Sequence, residues 1–564
     1  MPSTTQVDTK LSVDTQAYTQ PELRRFFWQR VDLRNVALLL MGFATVLVLV
    51  PPTRNFPTDD DWVYARSVQD ILSGHYRLPE AQATALGHTA WGALVSWLFG
   101  FNFTTLSLVS VAAAASCVVL LYVLLRQLGV TPGYSLLGTA LLGCNPIFVY
   151  LSYSFMTDIT FLAYMLAACV CFIRAFHDHS LKWLLLASIV TSLAYMTRQF
   201  GILLVPVALI YLWWSREWRW RDAFAVSVLP VATTLVYFLW ERSQPVPIAV
   251  YFAASERAIA MSDLTAYAIE RSQAFAIILA TLGLSLAPLV RFPRYPLLSL
   301  PVLACIVAFQ VRSTYLAGSP FPVSGNIIDN TGFMSCCNSS PIWSLSIWLI
   351  IGMVGAAIVS LYLVDLAEQL VQWLHTSPWR NRTANPLFFI YLLGGLLAMG
   401  TVAVGINAPF VYDRYFLPFL PMMMLPMLTR MSCVAAPQAS VVSRIHWLAL
   451  LPLALFAVLG QHDYLARAAV RWQAAENLVS QGIPLHEIYA GFEWQGWQLY
   501  SEGEKVIRAR GDYAHVPFPP DVVLDPKYAV MQLTGDEYTE IGSLPYPSWL
   551  EGGATRYMLV LKGK

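Results

Sequence analysis

Three consecutive aspartates, Asp59-Asp60-Asp61, stand just past the first long apolar run of the chain, and Thr157-Asp158 and Asp413-Arg414-Tyr415 stand at the edges of later runs. Carboxylates beside a bilayer are costly unless they pair, face water or take part in chemistry. At a water-facing edge a carboxylate can take the proton of a substrate hydroxyl. A guanidinium meets phosphate oxygens in a two-pronged geometry, so Arg414, and Arg198 in Thr197-Arg198-Gln199, are candidates for holding an anion. Each group also has a plainer reading. Aspartates are favoured at a helix start by its dipole, Thr157 or Asp158 can cap a helix, and an arginine at the end of a span can snorkel to the headgroups. Three adjacent acids exceed what capping requires, and Asp60, in Asp60-Asp61-x-x-Tyr64-Ala65, heads the list. Asp59, Tyr64 and His88 are weaker candidates, a lone loop histidine being more often structural. No zinc-ligand spacing, Walker loop, dinucleotide-binding glycine pattern or nucleophile elbow is present.

The elements that would position these groups are apolar. The chain is 57% hydrophobic and only 12% charged, about half the charge of a soluble protein. Long apolar runs fall near 34–51, 104–125, 134–152, 158–175, 183–197, 200–214, 223–240, 272–290, 295–311, 342–364, 386–406, 416–430 and 445–460. Most can cross a hydrocarbon core of about 30 Å, which predicts a polytopic α-helical membrane protein with about 13 spans. A net charge of +1 argues against a general nucleic-acid partner. Residues 1–33 read as a polar cytosolic tail, because Arg24-Arg25 precede a run that continues to Val50 without a small-residue cleavage site. Connections on the N-terminal side carry most of the basic residues, among them Arg30, Arg34, Arg126, Arg174, Lys182, Arg216, Arg219, Arg221, Arg291, Arg294, Arg380, Arg382, Arg430 and Arg444. That side is therefore expected to be cytosolic, in a plasma or inner membrane. An odd number of spans then puts the C-terminus outside. On this map Asp59–Asp61, Asp158, Arg198 and Asp413-Arg414 all land on the outer face, where they can form one site.

The first external loop, 52–103, is not simply polar. Trp62, Ala65, Val68, Ile71 and Leu72 have helical spacing that suits a short amphipathic helix stopped at Gly74. Residues 88–100 are too short to span and carry Trp91 and Trp97, so they read as an interfacial helix in contact with membrane lipids. After the membrane portion, 34–461, polar residues return in 462–564. A helix over 462–481, ended by Gly482-Ile483-Pro484, and strands at 488–492, 528–533 and 557–561 predict a small external α/β domain. Cys117, Cys144, Cys169, Cys171 and Cys305 lie in apolar runs as small packing residues. Cys336-Cys337 are adjacent, a geometry that strains a disulfide and argues against a structural bond there.

An acidic pair in the first external loop, a Thr-Asp after the third span and an Arg-Tyr-x-x-Pro before a late span together resemble the GT-C membrane glycosyltransferases. The resemblance is to the dolichyl-phosphate-mannose protein mannosyltransferases and the bacterial lipid A aminoarabinose transferases. It covers roughly 34–430 and is strongest at Asp60-Asp61-Trp62-Val63-Tyr64-Ala65 and Arg414-Tyr415-Phe416-Leu417-Pro418. Glutamate usually follows the first aspartate in that family, where this chain has Asp61, so Asp59-Asp60 could be the pair one residue earlier. The resemblance implies transfer of a hexosyl or pentosyl group from a polyprenyl-phosphate carrier to a protein, lipid or glycan acceptor on the outer face, with inversion. It implies Asp60 as general base, Asp61 or Asp158 as acceptor-positioning carboxylates, and Arg414, Arg198 and Tyr415 around the lipid phosphate. Two or three aspartates could hold a divalent ion, which the resemblance does not require. A transporter or lipid flippase is the competing reading. It expects charges at mid-span depth and broken helices in symmetric halves, whereas the acids here cluster at one edge. A third reading, a noncatalytic assembly subunit with a receptor-like external domain, is separated by whether the Asp and Arg groups converge on one site.

Overall fold

In hydrocarbon the backbone must satisfy its own hydrogen bonds, which leaves a helix as the economical form for a single segment. Each of the thirteen apolar runs lies on a helix or a pair of helices. The structure is a computed structural model describing residues 28–77, 83–290, 292–316, 326–334, 341–375, 385–407, 411–434, 442, 444–513 and 516–564. The helices are α1 (Arg30–Leu49), α2 (Asp61–Leu72), α3 (Leu86–Phe99), α4 (Phe103–Gln127), α5 (Pro132–Gly143), α6 (Pro146–Tyr153), α7 (Thr157–Asp178), α8 (Leu181–Thr197) and α9 (Leu204–Trp214). They continue as α10 (Trp220–Arg242), α11 (Ile248–Ala260), α12 (Leu264–Leu286), α13 (Ser299–Val311), α14 (Leu345–His375), α15 (Pro386–Asn407), α16 (Phe419–Val434), α17 (Arg444–Ser480) and α18 (Phe492–Arg510). The chain is a multi-pass α-helical membrane protein with a small C-terminal sheet domain.

The thirteen runs differ in length and straightness. Among the described residues nine helices are long and apolar enough to cross a membrane, or ten if the bent pair α5–α6 is one span. The runs at 183–197 and 200–214 form shorter apolar helices, and α16 has 16 residues. The run at 134–152 breaks by 61° between α5 and α6. Pro146 cannot donate to the preceding helix and pushes Asn145 out of the helical region. Asn145 instead caps α6, accepting from the Phe148 N–H at 3.0 Å, and donates to Ser285 Oγ at 2.8 Å. Elsewhere small residues bring helices together: a Cβ on Gly355 of α14 would lie 2.1 Å from the Ala280 carbonyl of α12.

Charged pairs collect at two opposite ends of the bundle. At one end Arg126 of α4 reaches Asp32 of α1 at 2.8 Å, and Arg430 of α16 reaches Asp365 of α14 at 2.7 Å. At the other, the start of α7 and the end of α8 meet the connections before α2 and before α16. The tail 1–27, the Cys336-Cys337 pair, Arg291, Arg380 and Arg382 lie outside the described residues.

The helix expected at 462–481 is the second half of α17, whose 37 residues make a rod of about 55 Å. Roughly half of it stands beyond a hydrocarbon core, and the expected boundary at 461–462 falls inside it. Strands β1 (Ile328–Asp329) and β2 (Gly332–Phe333) form a short hairpin from the α13–α14 connection. The C-terminal sheet holds β3 (Ile488–Tyr489), β4 (Tyr528–Met531), β5 (Tyr538–Ser548) and β6 (Ala554–Gly563) in the order β3-β4-β6-β5. The β3–β4 pair is parallel, the others antiparallel. Strand β5 escaped the sequence reading because Gly542, Pro545 and Pro547 argue against a strand. It is tolerated as the sheet edge, with a register shift at Glu540/Gly542.

Helix α18 was also missed, since Gly496 and Gly503 weaken its helical signal. Both glycines permit contact: a Cβ on Gly496 would lie 2.4 Å from the Trp62 ring, and one on Gly503 1.8 Å from the Pro519 carbonyl. Through this contact α18 covers α2. Trp62 is buried with its ring 5.0 Å from that of Tyr500 and 5.9 Å from that of Phe492. The expected amphipathic loop helix α2 is therefore sandwiched between the bundle and the C-terminal domain. Only α3 keeps the interfacial character, with Trp91, Trp97 and Phe99 exposed.

Candidate active site

The connection from α1 turns sharply before α2. Asp59 has a left-handed backbone, φ 51°, which aspartate tolerates better than most residues. This turn lets two neighbouring carboxylates meet one guanidinium. Arg414 Nη1 donates to Asp59 Oδ2 at 2.7 Å and Nη2 to Asp60 Oδ2 at 2.8 Å. The two acids differ in access: the Asp59 side chain is 5% exposed and that of Asp60 24%. Burial and the adjacent Asp60 push the Asp59 carboxyl well above the usual carboxylate range, against the pull of Arg414.

Arg198, at the end of α8, donates from Nη2 to Asp158 Oδ2 at 2.8 Å and from Nε to Thr157 Oγ1 at 2.9 Å. Its guanidinium and that of Arg414 each lie 5.8 Å from the Tyr415 ring centre, so one ring contacts both cations. Tyr412 lies 4.9 Å from the Arg414 guanidinium. Such faces attract cations and hold them in place. Arg414 Nε and Asp158 Oδ1 are buried with no hydrogen-bond partner among the described residues. Buried polar atoms in that state call for water or a ligand.

Asp61 differs from its neighbours. It is fully buried, and its Oδ2 accepts from Arg54 Nη2 at 2.6 Å and Thr58 Oγ1 at 2.8 Å. Arg54 also bonds Ser107 Oγ and the Tyr153 carbonyl, both at 2.8 Å from Nη2. Asp61, expected to position an acceptor, has its Oδ2 engaged by Arg54 and Thr58, while its Oδ1 is buried with no partner among the described residues. It braces the turn that aims Asp59 and Asp60. Replacing Arg54 by alanine should leave Asp61 buried without a counter-charge and cost about 3–5 kcal/mol. That is measurable as a large fall in Tm of the detergent-solubilised protein. Adding Asp61→Leu should recover much of the loss, and a small effect of Arg54→Ala alone would show that the pair is dispensable.

Tyr64, one turn into α2, meets the His88 ring edge-on at 6.0 Å. His88 shares a 2.8 Å hydrogen bond with Thr160 and packs 4.1 Å from the Phe155 ring. Burial lowers its pKa from 6.5 to about 3, so it is neutral in the fold and supports the wall of the site. In the unfolded chain it binds a proton below about pH 6.5. The folded state therefore loses stability as pH falls through that value, by about 2 kcal/mol at pH 5. His88→Asn should flatten the fall in Tm between pH 7 and 5 relative to the parent.

The structure brings together Asp59, Asp60, Asp158, Arg198, Arg414, Tyr415, Tyr64 and His88, drawn from five separate segments. It also shows what Asp413 of the sequence triplet holds, and adds Arg467 and Glu493, which the sequence reading does not contain. Asp413 accepts from the backbone N–H groups of Asn326, Ile327 and Ile328 at 3.3, 3.1 and 2.9 Å, tying the β1–β2 hairpin to the site. Arg467 of α17 holds the other side of that hairpin through the Phe333 carbonyl at 2.6 Å and that of Met334. Glu493, in the first turn of α18, is paired with Arg471 of α17 at 2.8 Å and adds negative potential at Asp59. No local spacing links Arg467 or Glu493 to the acids, so no sequence signal could have found those two. Among the described residues, no group of three or more His, Cys, Asp or Glu side chains is placed to hold a metal ion.

Among solved structures, ArnT from Cupriavidus metallidurans bound to undecaprenyl phosphate is similar at a TM-score of 0.40 and 15% identity, over 94% of this chain and 97% of that one. The archaeal oligosaccharyltransferase AglB from Archaeoglobus fulgidus, in complex with an inhibitory peptide and a dolichol-phosphate, gives 0.42 and 12%, over 88% and 69%. No curated protein matches the sequence. The segment from α3 to α10, which carries His88, Asp158 and Arg198, is matched by a family model at residues 88–240. That family, the dolichyl-phosphate-mannose-protein mannosyltransferases, is the one that the acidic and Arg-Tyr motifs resemble.

Proposed function

We propose that the protein is a membrane glycosyltransferase that moves a sugar from a polyprenyl-phosphate carrier to an acceptor on the outer face. The observation that carries this reading is the convergence of Asp60, Arg414, Arg198 and Asp158, with Asp60 the accessible acid and two guanidinia beside it. The acceptor hydroxyl oxygen attacks the anomeric carbon as its proton passes to the Asp60 carboxylate. The bond from that carbon to the phosphate oxygen breaks, and the electron pair leaves with the phosphate. Positive charge aimed at the departing anion stabilises it. One base and no carboxylate nucleophile suffice, so the anomeric configuration inverts.

Arg414 has two employments in this scheme. Before the donor arrives it is hydrogen-bonded to both Asp59 and Asp60. A phosphate that draws the guanidinium toward itself weakens its hold on Asp60 and leaves that carboxylate a better base. Asp158 keeps Arg198 in place, and the Tyr415 ring lies beside both cations.

The test is to incubate purified protein with polyprenyl-phosphate sugars and measure release of the lipid phosphate. Failure with every donor of this class, by protein shown to be folded, would sink the reading. The topology is tested separately. A reporter fused after Lys564 should be external and one inserted in 376–384 cytosolic. The reverse for either would place the cluster on the wrong side for an externally presented acceptor.

A further inference from the structure

A crevice of about 240 Å³ opens between α2, α18 and the α10–α11 connection. That is far more than the roughly 30 Å³ share of one water and below the 300–1,000 Å³ of drug-sized sites. Its α2 lining, Val63, Arg66, Ser67 and Asp70, follows the i, i+3, i+4, i+7 pattern of one helix face. Asp60 and Tyr64 lie on the adjacent face, and the crevice centres about 10 Å along the axis from Asp60.

The floor is apolar and aromatic, with Val63 and Tyr500 buried and Pro245 and Pro247 closing one side. The rim is charged in opposite pairs. Arg508 binds Glu504 Oε1 at 2.8 Å from Nε and 2.7 Å from Nη2. Asp70 is held only loosely by Arg77, at 3.3 and 3.5 Å. Arg66 is fixed by Ser501 Oγ at 2.5 Å and the Trp497 carbonyl at 2.7 Å, with the Tyr500 ring 5.6 Å from its guanidinium.

Each acid on the rim already holds an arginine, and the third arginine, Arg66, is spent on Ser501 and the Gly496 and Trp497 carbonyls. Carboxylates that accept beside guanidinia that donate suit vicinal hydroxyls, each of which does both. A ring with a C–H face suits the aromatic and proline floor. We infer that this crevice binds a neutral sugar ring, as the subsite for the non-reacting part of a glycan acceptor. The acceptor role rests on the proposed transferase activity; the sugar binding does not.

The experiment uses the full-length protein in detergent, with methyl α-mannopyranoside, methyl β-glucopyranoside and methyl β-galactopyranoside as probes in saturation-transfer NMR. The parent should bind at least one, and Asp70→Asn with Glu504→Gln should raise its Kd at least tenfold. Tm and donor hydrolysis without acceptor report folding and the Asp60 site, and both should stay at the parental level. No binding by the parent, or equal binding by parent and double variant, would overturn the inference. Absence of donor hydrolysis in a parent that binds the glycoside would count against the transferase and leave the sugar subsite standing.

Discussion

Asp60→Asn is expected to lower sugar transfer by about 10²–10⁴-fold, the usual cost of losing a general base, while donor affinity stays within a few-fold of the parent. The substitution preserves shape and can still accept from Arg414 Nη2, but the amide cannot take the acceptor proton. Its neighbours should behave differently because their surroundings differ. Asp59 is buried against Arg414, so Asp59→Asn should chiefly disturb donor affinity through that guanidinium. Asp61 is sealed with Arg54, so Asp61→Asn should lower Tm more than rate. Measuring kcat, donor Kd and Tm for the three single variants separates these roles. Full activity in Asp60→Asn with an inactive Asp59→Asn would move the base by one residue, and full activity in all three would end the catalytic reading of the turn.

The second large effect is expected at Arg414. Arg414→Ala removes the partner of two carboxylates, one of them buried, and breaking such a pair costs about 3–5 kcal/mol. It should therefore lose both Tm and donor binding. Arg414→Lys keeps the charge but reaches one oxygen where the guanidinium reaches two. A charged hydrogen bond is worth roughly 1.5–3 kcal/mol, so the lysine variant should bind polyprenyl phosphate about 10- to 150-fold more weakly in a folded protein. Donor-induced thermal shifts read both quantities together. If the lysine variant binds as the parent does, Arg414 serves the acids and not the phosphate.

The membrane architecture was legible because its cause is local. Hydrocarbon forces each apolar run to satisfy its backbone internally, so hydropathy alone located the thirteen apolar runs, though not α11, which has no long apolar run. The stops were legible where a residue type enforces them, as at Gly74 (φ 77°) after α2 and Gly100 (φ 87°) after α3. The continuous α17 was not, because its composition changes at the membrane edge although its helix does not. The glycines of α18 and the prolines of β5 also misled, since their local cost is met by contacts with Trp62, Pro519 and β6.

The sequence by itself determined which chemical groups stand at the ends of the spans, and its order of motifs assembled the candidate list from Asp59 to Tyr415. Only the tertiary structure decided what each acid faces. Asp59, Asp60 and Asp61 are chemically identical and adjacent, yet one is buried on Arg414, one is open beside it and one is locked to Arg54. Those differences arise from Arg54, Ser107, Arg414 and Glu493, which lie from seven to more than four hundred residues away in the chain. Burial and partnership set the charge and reach of a carboxylate, and both are properties of packing that no stretch of sequence contains.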